Sequence, residues 1–155
     1  MRLYVRGKIV SSSGKDVDLT DTTAVANNLL HSLFIQCAVM VNFVPVTPSH
    51  EHYNYHAYLD TLLPYSTDAA SSHHSKSYWY LDNRDMLPSD PTAETHTSAT
   101  NDGFIARWSR LSGRRDVQLL GRLHTALCNV PLFLLPRVPL QIKLTKARPN
   151  FYVMN

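Results

Sequence analysis

The amino-acid sequence predicts a β-rich domain, an antiparallel β-sandwich of the jelly-roll kind with one or two short helices inserted. Apolar and polar residues alternate with period two over several short segments, which is typical of strands that bury one face. The segments show neither β-α-β alternation nor a repeat of fixed length. With 155 residues, 44% of them apolar, the chain is long enough for one core-bearing domain over 1–155.

The first part of the chain is predicted to contain two strands separated by a helix. Residues 2–9 alternate as a half-buried strand does. A turn around Gly14 follows, and apolar side chains at helical spacing predict a helix over 22–34. Alternation resumes over 35–42 and predicts a second long strand.

A short edge segment and a second helix are predicted next. Prolines confine 44–47 to a sheet edge or to the end of a hairpin, because proline cannot donate to a strand ladder. The helix after it ends at Pro64. Its apolar side chains form a narrow stripe that we expect to be buried: Tyr55, Tyr58, Leu59, Leu62 and Leu63.

A long surface loop is predicted over 82–102, because this stretch lacks hydrophobic periodicity and is rich in polar residues and proline. We expect it to be mobile. A turn is predicted at Gly113. Further strands are predicted over 104–108, 117–127, 140–144 and 151–154. Apolar residues on both faces of the longest of these strands favour a second packed layer, as in a sandwich.

The sequence predicts an intracellular protein, in the cytoplasm or nucleus, that does not cross a membrane. Polar side chains interrupt the most apolar stretch, 29–46, and prolines break the apolar run near the C-terminus. The first residues lack the apolar core of a secretory signal, so secretion is not expected. Cys37 and Cys128 lie far apart in apolar surroundings, which predicts two unpaired thiols in a reducing compartment.

Charge is divided unevenly along the chain. Residues 1–103 carry 6 Lys and Arg against 11 Asp and Glu, whereas residues 104–155 carry 9 against 1. A basic cluster beside an aromatic residue is the candidate interaction surface: Arg107, Trp108, Arg110, Arg114 and Arg115. This composition is typical of surfaces that contact phosphates or an acidic partner. A small β-barrel that binds nucleic acid through its basic C-terminal half is therefore the alternative function.

No catalytic, metal or cofactor site is predicted. His50, His52 and His56 form the most suggestive group, since imidazoles are common zinc ligands and would suit a metal-dependent β-barrel enzyme. A cupin-like barrel would add a following glutamate and flanking glycines, which this segment lacks, so we expect exposed histidines. Phosphate-binding glycine motifs, a nucleophile elbow and paired cysteines of the C-x-x-C type are absent. We expect a protein that is not an enzyme.

Several longer strings are more specific than these short motifs: VANNLLHSLF, VPVTPS, YNYHAYLDTLLPYSTDA, SYWYLD, VQLLGRLHTALC and PLQIKLTKARPNFYVM. In order and spacing they resemble capsid proteins of Maverick/Polinton elements and the related adintoviruses, from about Leu3 to Met154. The resemblance implies a jelly-roll building block of a virus-like shell, without enzymatic activity. Its implied partners are further copies of itself or other capsid subunits, within a virion if it assembles.

Departures from the family pattern imply a partial or decayed copy. Family members are longer, so we expect strands of the jelly roll to be missing and an apolar face to be uncovered. The family turns on Asn-Gly after its first long strand, whereas here Asn42 precedes Phe43. Phenylalanine tolerates positive φ poorly, which argues against a tight type I′ turn. Marginal stability with dimerisation or aggregation is the expected consequence.

Overall fold

The structure is a computed structural model that describes residues 1–10, 14–16, 22–47, 52–83, 90–92, 100–112, 116–129, 131, 133 and 136–154. Strands and short helices are mixed in it, and the strands pair as two- and three-stranded antiparallel sheets. Antiparallel pairing agrees with the prediction. Among the described strands there is no closed barrel, and the apolar face of the three-stranded sheet packs against a helix and against Leu3 of the first strand.

The strands follow the chain as β1 (Arg2–Gly7), β2 (Ala24–Val25), β3 (Phe34–Val41), β4 (Val44–Pro45), β5 (Val117–Arg122), β6 (Leu140–Lys146) and β7 (Val153–Met154). The helices are α1 (Leu29–Ser32), α2 (Tyr53–Leu62), α3 (Thr67–Ser72), α4 (Asp102–Leu111), α5 (Ala126–Asn129) and α6 (Pro149–Tyr152). A 3-10 helix, His74–Ser77, follows α3. The sheets are β1–β5, β2–β7 and β4–β3–β6.

The β1–β5 sheet confirms the predicted first strand and carries the first of two apolar clusters. Val5 lies opposite Leu119 in the antiparallel register, and Leu3 lies opposite Gly121. The apolar side chains of this face pack against Leu30 of α1. Leu30 and Leu119 are at most 2% exposed, so each contributes roughly 1.5–3 kcal/mol through burial.

The β4–β3–β6 sheet carries the second apolar cluster. Val39 lies opposite Ile142, and α2 covers this face through Tyr53 and Ala57. Alternate residues point the other way, where Lys143 is exposed. One face of this sheet is therefore covered by a helix, while the opposite face carries exposed polar side chains.

The predicted helix over 22–34 is wrong, because the segment folds as β2, the four-residue α1 and the start of β3. Asn28 has a left-handed backbone with φ of 55°, which separates β2 from α1. Asn27 acts as a strand partner through its side chain. Its Nδ2 donates to the Tyr80 carbonyl at 2.6 Å, and its Oδ1 accepts from the Tyr80 N–H at 2.9 Å. These bonds to a residue 53 positions away override the local helical spacing.

The predicted strand over 104–108 is also wrong, because these residues lie in α4. Asn101 caps this helix, since its Oδ1 accepts from the Phe104 N–H at 3.1 Å. Apolar residues spaced by two over so short a segment fit either period, and the cap favours the helix. The long strand predicted over 117–127 is shorter than expected, since β5 ends at Arg122 and α5 follows.

Two other predicted elements are confirmed with small differences, and a third is confirmed only in its second half. β6 contains the strand predicted over 140–144, and α2 ends just before Pro64 as expected. The last predicted strand, 151–154, retains only β7, which pairs with β2. Pro149 occupies the first turn of α6 and favours helix there, because its fixed φ suits a helix start.

The predicted loop over 82–102 and the predicted turn at Gly113 are only partly described by the structure. Residues 84–89 and 93–99 of the predicted mobile loop, and the turn at Gly113, lie outside the described residues. The two ends of the loop lie together: Asn83 Nδ2 donates to the Thr100 carbonyl. The segment from 83 to 100 therefore leaves and returns at one place.

The β3–β4 hairpin corrects the expectation drawn from Phe43. Asn42 and Phe43 have φ of 50° and 64°, positive values of the kind that a type I′ turn requires at both central positions. Val41 pairs with Val44 around them. The Phe43 side chain is 71% exposed, and a bulky residue in this conformation stores backbone strain.

Candidate functional site

The predicted interaction surface is divided by the structure, and its first member is buried. Arg107 is 2% exposed. Its Nε donates to the Val25 carbonyl at 2.9 Å, and its Nη1 lies 2.8 Å from Asp82 Oδ1 and donates to the Tyr80 carbonyl at 3.4 Å. Arg107 therefore joins β2 to the segment around Tyr80 and is not available to a partner molecule.

The other described members of this surface lie further along α4. Trp108 is half-buried, and Arg110 is exposed with its guanidinium carbon 5.5 Å from the centroid of the Tyr80 ring. Arg114 and Arg115 lie outside the described residues. Of the two arginines placed on α4, one is structural and one faces solvent.

The histidines considered as metal ligands are not brought together. His50 lies outside the described residues, and His52 and His56 are exposed. His56 Nδ1 lies 3.8 Å from Asp60 Oδ2, one turn along α2. In the part of the chain that the structure describes, no group of three or more His, Cys, Asp or Glu side chains could hold a metal ion.

A different group of histidines lines a cavity of about 590 Å³ between the β1–β5 sheet, α2 and the 3-10 helix. We call it the histidine cavity. Its charged and imidazole lining residues are Arg2, His31, Asp60, His73, His74, Lys76, Arg122 and His124. The volume lies within the range of pockets that hold small molecules.

His31 forms part of the floor of the histidine cavity and is 2% exposed. Its Nδ1 lies 3.0 Å from the Tyr53 hydroxyl, which also accepts from the His124 backbone N–H at 3.3 Å. Burial raises the pKa of Tyr53, so the hydroxyl keeps its proton and can donate it to His31 Nδ1. A neutral His31 ring then carries its own hydrogen on Nε2.

His124 lies against His31, and the two rings meet edge to face with centroids 4.6 Å apart. Its Nδ1 lies 3.3 Å from Asp60 Oδ2. Burial, followed by the nearby His124 and His74 rings, lowers the pKa of His31 to about 3. Burial also lowers the pKa of His124, although Asp60 opposes the shift. Two adjacent imidazoles are therefore neutral at pH 7.

Gly121 of β5 allows α1 to approach this floor. A Cβ on Gly121 would lie 2.5 Å from Leu30 Cδ2 and 3.2 Å from His31 Nε2. An isolated glycine inside a strand pattern indicates such a close approach, and it is the one local signal in the sequence that could have pointed here. The histidines themselves belong to distant segments and form no motif, so sequence reasoning did not select His31 or His124.

The outer face of α2 (Tyr55, Leu59, Leu62 and Leu63) is the second feature of note, and it reverses a prediction. The predicted buried stripe also includes Tyr58, which is half-buried against the Trp79 ring. The other four side chains of the stripe are 57%, 51%, 42% and 77% exposed. The buried face of the helix is instead formed by Tyr53, Asn54, Ala57 and Thr61. Asn54 and Thr61 are polar, so α2 presents its more apolar side to solvent.

No similar protein helps to interpret these features. None of the described helices combines the length and the apolar character that crossing a bilayer would take. Comparison with protein-family models, with curated proteins and with solved structures finds no match.

Proposed function

We propose that the chain is a structural protein that self-associates, a capsid-like building block without catalytic activity. The strings that resemble Maverick/Polinton capsid proteins support this function. Antiparallel sheets with open edges support it as well, because a jelly roll is built from antiparallel strands. In this proposal the small sheets are parts of a jelly-roll sandwich that is completed by contact with further copies of the chain.

The observation that carries the proposal is the outer face of α2. Tyr55, Leu59 and Leu62 recur at helical spacing and Leu63 extends them, so the exposed apolar side chains form one stripe. A contiguous apolar stripe on the surface is typical of a site of protein contact. Burying the exposed parts of the leucines alone would contribute roughly 1–2 kcal/mol each.

A second copy of this chain is the partner that fits the face best. Asp60 is the only charged residue within α2, and its carboxylate is engaged with His124 and not with the outer face. An uncharged apolar stripe is self-complementary, as a twofold contact between identical subunits requires. Among the described strands, β1 and β6 each pair along one edge only, which leaves backbone groups for lateral contacts.

Mass measurement of the full chain tests this proposal. The wild type should be dimeric or larger by size exclusion with light scattering, and the double variant Leu59→Asp with Leu63→Asp should be monomeric. Phe133→Asp is the matched control, because it makes the same apolar-to-acid change at a fully exposed side chain outside α2. This control should keep the wild-type mass.

The outcomes are separable from unfolding, because Leu59 and Leu63 are more than half exposed. Circular dichroism and thermal melting should show that the double variant remains folded. A wild type that is monomeric at high concentration, or a double variant with unchanged mass, would rule out assembly through this face. Electron microscopy of the wild type then shows whether the assemblies are closed shells or dimers.

The nucleic-acid alternative loses support from Arg107, which is 2% exposed and whose Nε and Nη1 are engaged inside the protein. Of the basic cluster that this alternative requires, Arg110 is the described arginine that remains exposed. DNA binding with a steep salt dependence that is lost in Arg110→Glu would favour this alternative over assembly.

A further inference from the structure

We propose that the histidine cavity binds a small oxyanion of the phosphate or carboxylate class. This site is separate from the outer face of α2 and is independent of self-association. The proposal rests on the arrangement of cations around the cavity rim, on one neutral hydrogen-bond donor at its floor and on the cavity volume.

The rim carries an excess of positive charge. Arg2, Lys76 and Arg122 line the cavity, and Asp60 is the single carboxylate among its described lining residues. Asp60 already accepts from His124 at 3.3 Å. The rim is therefore cationic, and cavities lined by one sign of charge concentrate ions of the opposite sign.

Two of these cations are placed opposite each other by the strand register. Arg2 of β1 is the cross-strand partner of Arg122 of β5. Like charges directly opposite each other destabilise a sheet, and an anion held between them would turn this repulsion into attraction. Arg2 and Lys76 have no hydrogen-bond or ion-pair partner among the described residues.

Arg122 is already oriented by the protein. Its Nε and Nη2 both donate to the Cys128 carbonyl, which fixes the plane of the guanidinium. Its Nη1 has no partner in the described part of the chain and can donate to a ligand. An arginine held in this way loses little side-chain entropy on binding, and its planar donors suit phosphate or carboxylate oxygens.

The floor supplies a neutral donor. When the Tyr53 hydroxyl donates to His31 Nδ1, the neutral ring carries its hydrogen on Nε2, on the side of the ring that faces Gly121, another lining residue. In this arrangement a neutral N–H lies at the base of a cationic rim. The cavity, at about 590 Å³, has room for an anion larger than a single phosphate.

Isothermal titration calorimetry of the full chain tests the proposal with pyrophosphate and citrate as probes. Saturable binding of pyrophosphate with one site per chain supports a phosphate ligand, and binding of citrate alone supports a carboxylate ligand. Arg2→Gln and Lys76→Gln should each weaken binding roughly tenfold to hundredfold, because each removes a charged hydrogen bond. Both residues are exposed, so these variants should fold.

Lys143→Gln is the matched control, because it removes one exposed cation from β6, outside the cavity lining. It should change the Kd by less than about twofold. The proposal is overturned if neither probe binds at millimolar concentration, or if Lys143→Gln weakens binding as much as Arg2→Gln. Equal losses would mean that the probes associate with the general surface charge. Light scattering with saturating pyrophosphate separates this result from self-association, since the mass of the protein should not depend on the ligand.

Discussion

Mild acid should destabilise this protein through His31. Its folded-state pKa of about 3 lies far below the value of 6.5 for a free histidine. Between these values the unfolded chain binds the proton and the folded protein excludes it, so the free energy of unfolding falls as the pH falls. The slope is about 1.4 kcal/mol per pH unit for one such group, and the full loss is roughly 4–5 kcal/mol. That is comparable to the net stability of a small domain.

Urea unfolding between about pH 7 and about pH 4.5 measures this effect. The wild type should lose roughly 2–3 kcal/mol over that interval because of His31, in addition to the smaller share of His124. His31→Asn keeps an amide near the Tyr53 hydroxyl but cannot take up a proton, so its stability should depend less on pH.

His52→Gln is the control for this comparison, because His52 is exposed at the start of α2. It should follow the wild-type profile. The reasoning is refuted if His31→Asn and the wild type lose stability in parallel, since protonation of a buried imidazole would then contribute nothing to acid unfolding.

Three further substitutions test local features of the fold. Gly121→Ala should destabilise the protein by about 1–3 kcal/mol in urea unfolding, because the new Cβ would overlap Leu30. Phe43→Gly should raise the free energy of unfolding by about 1 kcal/mol, since glycine removes the left-handed strain of the hairpin; an unchanged midpoint would argue against that strain. Arg107→Met should cost roughly 3–5 kcal/mol by leaving Asp82 without its cation, and a melting temperature equal to wild type would contradict a structural role.

Elements with strong local signals were predictable from the sequence. β1 and β6 alternate over enough residues to determine both the element and its buried face. The bounds of α2 followed from Pro64, but its orientation did not. Buried Thr61 accepts from Asn28 Nδ2 and donates to the Ala57 carbonyl, while the Asn54 side chain accepts from the Tyr55 N–H. A hydrophobic pattern carries no information about partners such as Asn28, which is 33 positions from Thr61.

The candidate sites were less predictable for the same reason. The basic sequence around Arg107 predicts a surface cation. In the structure, Arg107 is buried, because the Val25 carbonyl and the Asp82 carboxylate come from distant segments to bind its guanidinium. The histidine cavity depends on the close approach of α1 to β5, which only Gly121 indicates locally. Spacing along the chain selected the histidines near residue 52, whereas the tertiary structure brings together His31 and His124.

The bond between Asn83 and Thr100 and the ion pair between Asp82 and Arg107 together have a practical consequence. Both contacts join the part of the chain before residue 84 to the part after residue 99. The pairing of β1 with β5 joins the same two parts. A backbone cut between 83 and 100 would therefore leave two pieces that hold each other noncovalently. We expect such halves to complement each other, and their reassembly would then report on folding inside a cell.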